Sequence, residues 1–151
     1  MNLRPLQQGN QLLSRLDDAE LDFFESVSEE VHVDAGTILL EEESPADTFY
    51  VVLKGKVALE MTSPGRQPMV MQTLGRGDMV GVSWPFPPHR WNWQARAMVD
   101  TDLIAFDAAA IRARCDQDPS LAVDVLSVVG EEVTRRLNRA RIQLLDLYEK
   151  D

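Results

Sequence analysis

The sequence predicts a mainly β protein, an all-β roll or barrel with short helices before it and a short and then a long helix after it. Three observations carry that expectation. From Val33 to about Phe106, short apolar or alternating runs are separated by turn residues, the pattern of many short strands. On either side of that stretch the apolar residues recur at every third or fourth position, which is a helical period. The chain has 151 residues, 44% of them hydrophobic, enough for one buried core, so residues 1–151 read as one domain.

Residues 1–30 should form the leading helices, because Leu12, Leu13, Leu16, Leu21, Phe23, Phe24 and Val27 sit at helical spacing between polar positions. Residues 31–106 should form the roll. Strand character is clearest from Thr48 to Met61. Phe49, Val51 and Leu53 share one face, Lys54-Gly55 reads as a turn, and Val57, Leu59 and Met61 resume the alternation, which predicts a hairpin. Gly75 and Gly77 flank Arg76 in a second turn, where glycine takes positive φ without a Cβ clash. His32, between Val31 and Val33, reads as a surface residue of an edge strand.

In residues 107–151, Asp107 is placed to cap a short helix running through Cys115. Asp118-Pro119, a cap followed by proline at the first helical position, opens a long amphipathic helix. Its apolar residues Leu126, Val129, Val133, Leu137, Ala140, Leu144 and Leu147 step by three or four. That seam, with Val129, Val133, Leu137, Ala140 and Leu144 as the candidate partner face, either covers the roll or pairs with a second copy.

Twenty-five acidic against fifteen basic residues give a net charge of −10, which repels polyphosphate and argues against direct nucleic-acid binding. Arg135, Arg136, Arg139 and Arg141 cluster near the carboxyl end, either as a solvated helix face paired to acids or as an anion-binding patch. There is no apolar run long enough to cross a membrane, and MNLRPLQQGNQLL lacks the plan of a secretory signal, so a cytoplasmic protein is expected. Cys115 is the one cysteine and reads as a buried structural thiol.

The run Ala35-Gly36-Thr37-Ile38, the stretch EEESPADTFYVVLKGKVAL and the segment LGRGDMVG resemble the cyclic-nucleotide-binding domain of the catabolite activator and Fnr group. The resemblance extends from about Leu12 to the long final helix. It implies a double-stranded β-helix jelly roll and a regulatory role. Transcription factors of that group carry a helix-turn-helix domain beyond the long helix, whereas this sequence ends at Asp151, which suggests a freestanding sensory or scaffold module.

In that group a phosphate-binding cassette follows the glycine that is here Gly81. A short helix offers N–H groups to the cyclic phosphate, a glutamate accepts from the ribose 2′-hydroxyl, and an arginine pairs with the phosphate. Here the glutamate position is Val82, which accepts nothing. Pro85, Pro87 and Pro88 have no N–H, so any phosphate-cradling turn is short and begins around Ser83 to Phe86. The arginine position falls on Trp91, with Arg90 one place earlier. The resemblance therefore implies an altered cassette, with Gly81, Val82, Ser83, Trp84, Arg90, Trp91 and Asn92 as candidate ligand-binding residues. Cyclic AMP, cyclic GMP or another small anionic ligand is the candidate occupant.

All three tryptophans fall in this region, and Trp91 and Trp93 are expected to share a strand face with Ala95 and Ala97. They either line a pocket that stacks a flat ligand, plug that pocket, or belong to the core. Glu43 stands where the group has a turn glycine, which predicts backbone strain there.

The function expected is a small regulatory binding module acting through ligand- or partner-coupled movement of the final helix. The alternative is a pocket plugged by tryptophans in a dimeric protein-protein interaction subunit that binds no nucleotide. Catalysis is disfavoured: Ser83 lies in no G-x-S-x-G elbow and neither histidine has a ligand partner at metal spacing, so no catalytic or metal residue is assigned.

Overall fold

Side-chain caps decide where the leading helices begin. In a computed structural model that describes residues 1–149, a 3-10 turn at Arg4–Gly9 is followed by α1 (Gln11–Ser14), opened by Asn10 Oδ1 accepting from the Leu13 N–H at 3.0 Å. Asp17 and Glu20 then form a reciprocal capping box that opens α2 (Asp18–Ser26). The apolar sides of these helices, led by Leu12, Leu13, Leu21 and Phe24, are buried.

Eight strands follow: β1 (Ser28–Val33), β2 (Ile38–Leu40), β3 (Thr48–Lys54), β4 (Val57–Met61), β5 (Met69–Leu74), β6 (Met79–Val80), β7 (Gln94–Ala97) and β8 (Thr101–Asp107). They make two four-stranded sheets of antiparallel pairs, ordered β1-β8-β3-β6 and β2-β7-β4-β5, so the fold is the expected mainly β roll with flanking helices. The roll starts at Ser28, ahead of the expected residue 31, because Ser28 already pairs with Phe106. His32 lies exposed on edge strand β1, as anticipated.

The predicted hairpin at Lys54-Gly55 is not formed. β3 pairs with β6 and β8, whereas β4 pairs with β5 and β7, so the chain passes from one sheet to the other between Lys54 and Val57. Gly55 makes that crossing at φ +121°, where a Cβ would come within 2.9 Å of the Thr101 Cα. Period-2 alternation reports that a segment is a strand with two unlike faces; it does not report which strand lies beside it. Val51 and Val52 are buried on opposite faces of β3, and a register shift after them, at Leu53, breaks the expected face.

From α2 across β8 and β3 to the segment after β6, Phe24, Phe106, Phe49 and Trp84 form a chain of aromatic contacts, with ring centroids 5.9, 4.9 and 4.4 Å apart in that order. Phe49 and Trp84 are parallel to within 2°. This stack fixes one end of the segment between β6 and β7, where the candidate site lies.

The period switches to helical at Asp107, whose carboxylate accepts from the Ala110 N–H at 3.0 Å and caps α3 (Ala108–Gln117). Asp118 accepts from the Leu121 N–H at 3.2 Å, and Pro119 opens α4 (Pro119–Glu149). Cys115 is half-buried on α3, and burial pushes its thiol up to about 11, as suits a packing residue. Among the described residues no helix is long and apolar enough to cross a membrane.

α4 divides its apolar residues between two tasks. Leu121, Val125, Val128 and Val129 are buried against the roll, whereas Val133, Leu144 and Leu147 are exposed and Leu137 is 67% exposed. Val129 was expected on the partner face; it belongs instead to the docked half. The exposed seam runs Leu126, Gly130, Val133, Leu137, Ala140, Leu144 and Leu147, alternating steps of four and three.

Glu43 has φ +70°, in the left-handed region that costs an L side chain about 1–2 kcal/mol. Its backbone N–H and carbonyl are both bonded, to Trp91 O and from Arg90 Nη1, and glycine keeps both. After subtracting the extra unfolded-state freedom of glycine, Glu43→Gly should raise the melting temperature by about 1–3 °C in a thermal scan; a decrease would mean the side chain itself holds the turn.

Candidate functional site

The segment between β6 and β7 is pinned by its aromatic residues and shaped by its prolines. No helix forms there: Ser83 O accepts from the Phe86 N–H at 3.1 Å and Phe86 O accepts from the His89 N–H at 2.8 Å, giving consecutive tight turns. The short turn expected at Ser83 to Phe86 is present. Pro85, Pro87 and Pro88 supply no N–H, so the continuous donor face of a helix N-terminus is missing.

The tryptophans part company. Trp84 is fully buried on Phe49, and Trp91 is buried with its ring over Gly81, where an added Cβ would meet it at 2.5 Å. Trp93 is 38% exposed. β7 begins only at Gln94, so the strand face expected to unite Trp91, Trp93, Ala95 and Ala97 does not extend back through the tryptophans.

Trp93 lines a groove of about 430 Å³ between the roll, this segment and α4. β4 and β5 contribute Leu59, Met71 and Gln72; the segment contributes Val82, Ser83, Phe86, Asn92 and Trp93. α4 closes the groove with Val133, Arg136, Leu137, Ala140 and Gln143. A small recess beneath it touches Gly81 and Trp91.

Of the residues singled out in the sequence, Val82, Ser83 and Asn92 line the groove and Gly81 and Trp91 its recess. Trp84 sits in the core. Arg90 is exposed and lies outside the groove lining, because its Nη1 donates to Glu43 O at 2.8 Å and its backbone bridges to Pro45. Ser83 is likewise engaged, its hydroxyl donating to Arg90 O at 2.8 Å.

The groove's cation is Arg136, which sequence reasoning placed only within a basic cluster. Its side chain is 12% exposed, its Nε donates to Glu132 Oε1 at 3.0 Å, and its Nη2 donates to Met79 O. Glu132, buried on the roll side of α4, also accepts from Arg135, which in turn donates to Gln11 Oε1 at 2.5 Å. Its i and i+4 relation to Arg136 was visible in the sequence; its burial was not. Gln72 Nε2 donates to Arg136 O at 2.9 Å, leaving Gln72 Oε1 buried and without a hydrogen-bond partner among the described residues.

Burial alone would push the Glu132 carboxyl up, but the Arg135 hydrogen bond and the Arg136 and Arg135 charges outweigh it and hold it below its ordinary value. A depressed carboxyl stabilises the fold above its unfolded value of about 4.5 and loses that contribution as pH falls through the lower folded value. Acid unfolding should therefore steepen below pH 4.5. Glu132→Gln should flatten that part of the pH–stability curve and cost about 3 kcal/mol at neutral pH, as removal of one buried ion partner does; an unchanged acid limb in urea melts would place the stability elsewhere.

A family model described as the cyclic nucleotide-binding domain matches residues 30–118. Over 116 residues the chain is 26% identical to a CRP-like cAMP-activated global transcriptional regulator of Mycobacterium tuberculosis, covering 77% of this chain and 50% of that protein. Over 128 residues it is 29% identical to the nitrogen fixation regulation protein FixK of Bradyrhizobium diazoefficiens, covering 85% and 51%. The chain thus spans about half the length of these curated relatives. Among solved structures, the N-terminal domain of a transcriptional regulator from Streptomyces coelicolor A3(2) superposes with a TM-score of 0.64 at 26% identity, covering 91% of this chain and 94% of that one.

Proposed function

Because the chain belongs to the cyclic nucleotide-binding domain family, we propose that it is a regulatory binding module in which a small ligand, held against α4, biases the position of that helix. The observation that carries this reading is that α4 is itself a wall of the groove, through Val133, Arg136, Leu137, Ala140 and Gln143. A ligand that touches the helix in one position and not in another shifts the balance between them by its differential affinity.

The family supports a cyclic nucleotide as the ligand, and the cAMP-activated relative makes cyclic AMP the first to try, with cyclic GMP beside it. The cassette is altered against that ligand. Val82 offers no acceptor to a ribose hydroxyl, Arg90 is held on Glu43 O, and the prolines withdraw N–H donors. A single lost hydrogen bond to a charged group costs about 1.5–3 kcal/mol, roughly 10- to 150-fold in affinity. Cyclic AMP and cyclic GMP should accordingly give no saturating change in tryptophan emission below about millimolar concentration, although Trp93 lies on the groove. Micromolar saturation abolished by Arg90→Ala would restore an intact nucleotide grip.

The partner we propose is a second copy of the chain, meeting at Val133, Leu137, Ala140 and Leu144, whose heptad spacing and exposure support a helix pair. Leu137→Lys with Leu144→Lys should convert a dimer to a monomer in sedimentation while leaving the roll's melting within about 2 °C of its value without the partner, since both side chains are outside the core. A wild-type chain that sediments as a monomer at 100-fold varied concentration up to about millimolar would overturn this pairing.

A second reading is favoured by Trp91, whose ring fills the space over Gly81. In that reading the nucleotide site is plugged and the module is a dimeric interaction subunit for another protein, with no nucleotide bound.

A further inference from the structure

The groove's chemistry is narrower than its family. Among the described residues that line it there is one charged side chain, Arg136, and no carboxylate, and the wall is otherwise mostly apolar. Two aromatic rings, Phe86 at 45% and Trp93 at 38% exposure, stand along it.

The charge of Arg136 is not fully balanced by its neighbours. Glu132 is shared between Arg135 and Arg136, so two guanidinium groups face one carboxylate. The Asp78 charge also acts on Arg136 and offsets part of that excess, more strongly than the Arg139 charge adds to it. Nε and Nη2 of Arg136 are committed to Glu132 and Met79 O, and Nη1 has no partner among the described residues. A positive charge in a poorly hydrated site is stabilised by a ligand anion far more than by an apolar filler.

These features fit a monoanion with a flat apolar body and fit a cyclic phosphate ester poorly. A phosphate draws on several converging charged donors, and here the charged donor is a single nitrogen of one arginine, beside the neutral amides of Asn92 and Gln143, while the neighbouring prolines offer none. Carboxylate on guanidinium, with an aromatic plane against Trp93 and Phe86, uses the charged and the aromatic groups that the groove presents.

From this we infer that the groove takes an aromatic monocarboxylate, its carboxylate on Arg136 and its ring against Trp93 and Phe86. The inference rests on the reading above that the groove between the roll and α4 is the ligand site. It differs from that reading in ligand class.

The test is calorimetric titration of the unaltered chain with indole-3-acetate and with indole-3-ethanol, which keeps the ring and its N–H and lacks the charge, followed by cyclic AMP. Indole-3-acetate should bind at least about 10-fold more tightly than the alcohol, the usual discrimination of a charge-assisted hydrogen bond. Arg136→Gln should erase that preference and Arg136→Lys should restore part of it. The comparison of acid and alcohol needs no variant, so it stands even if Arg136→Gln weakens the fold. Equal affinity for acid and alcohol overturns the inference. Cyclic AMP binding more tightly than the acid and displacing it also overturns it, while leaving a ligand-regulated module intact. Failure of both indole compounds to bind overturns the inference and leaves the reading it rests on in place, since that reading already expects no cyclic AMP binding below about millimolar concentration.

Discussion

α4 stops being part of the core at the Glu132–Arg136 ion pair, and the rest of the site is arranged around that point. Upstream, Leu121, Val125, Val128 and Val129 hold the helix to the roll by ordinary apolar burial. At the boundary the tie is polar, since Arg136 bonds both Glu132 and the carbonyl of Met79 on β6. Such a pair gives little net stability over an apolar substitute, because desolvation consumes most of the attraction. What it supplies is geometry. It fixes the register of α4 on the roll and sets a guanidinium into the wall of the groove.

The opposite wall is held by different means. Trp84 is stacked on Phe49 and its carbonyl accepts from Arg112 Nη1 at 3.0 Å, while Trp91 is lodged on Gly81. Arg112 also donates to Ala46 O at 2.7 Å, joining this segment to the start of β3 and to α3. Residues 84–91 are thus anchored at both ends by buried indoles, with three prolines between them. One side of the groove is held by buried side chains, whereas the described part of α4 beyond Glu132 places no apolar side chain in the core.

Much of the fold was legible because its signals are local. Asp107 and Asp118-Pro119 declared their helices through cap chemistry that acts within one turn, and the alternation of residues 48–61 declared strands. What was not legible is non-local. The sequence of β3 and β4 is the same whether they pair with each other or with strands from elsewhere, so the false hairpin at Lys54-Gly55 had no local contradiction. Arg136 had no distinguishing mark among four nearby arginines, since its role comes from the burial of Glu132 and the approach of β6. Trp91 and Trp93 differ in role because β7 begins one residue after Trp93, a boundary that side-chain spacing does not reveal.

Val133, Leu137 and Ala140 line the groove and also stand in the exposed heptad seam. An apolar side chain on a helix has one set of rotamers to offer, so whatever packs on one flank of these residues constrains what the other flank can present. A groove ligand and a helix partner would therefore be coupled through three shared side chains, without a path through the rest of the protein. The coupling is reciprocal by thermodynamic necessity: whatever factor a partner applies to the ligand's affinity, the ligand applies to the partner's. Its sign depends on whether the seam-filling helix leaves the groove open or closes over it. Its size is bounded by the contacts those three residues exchange, on the order of 1–3 kcal/mol.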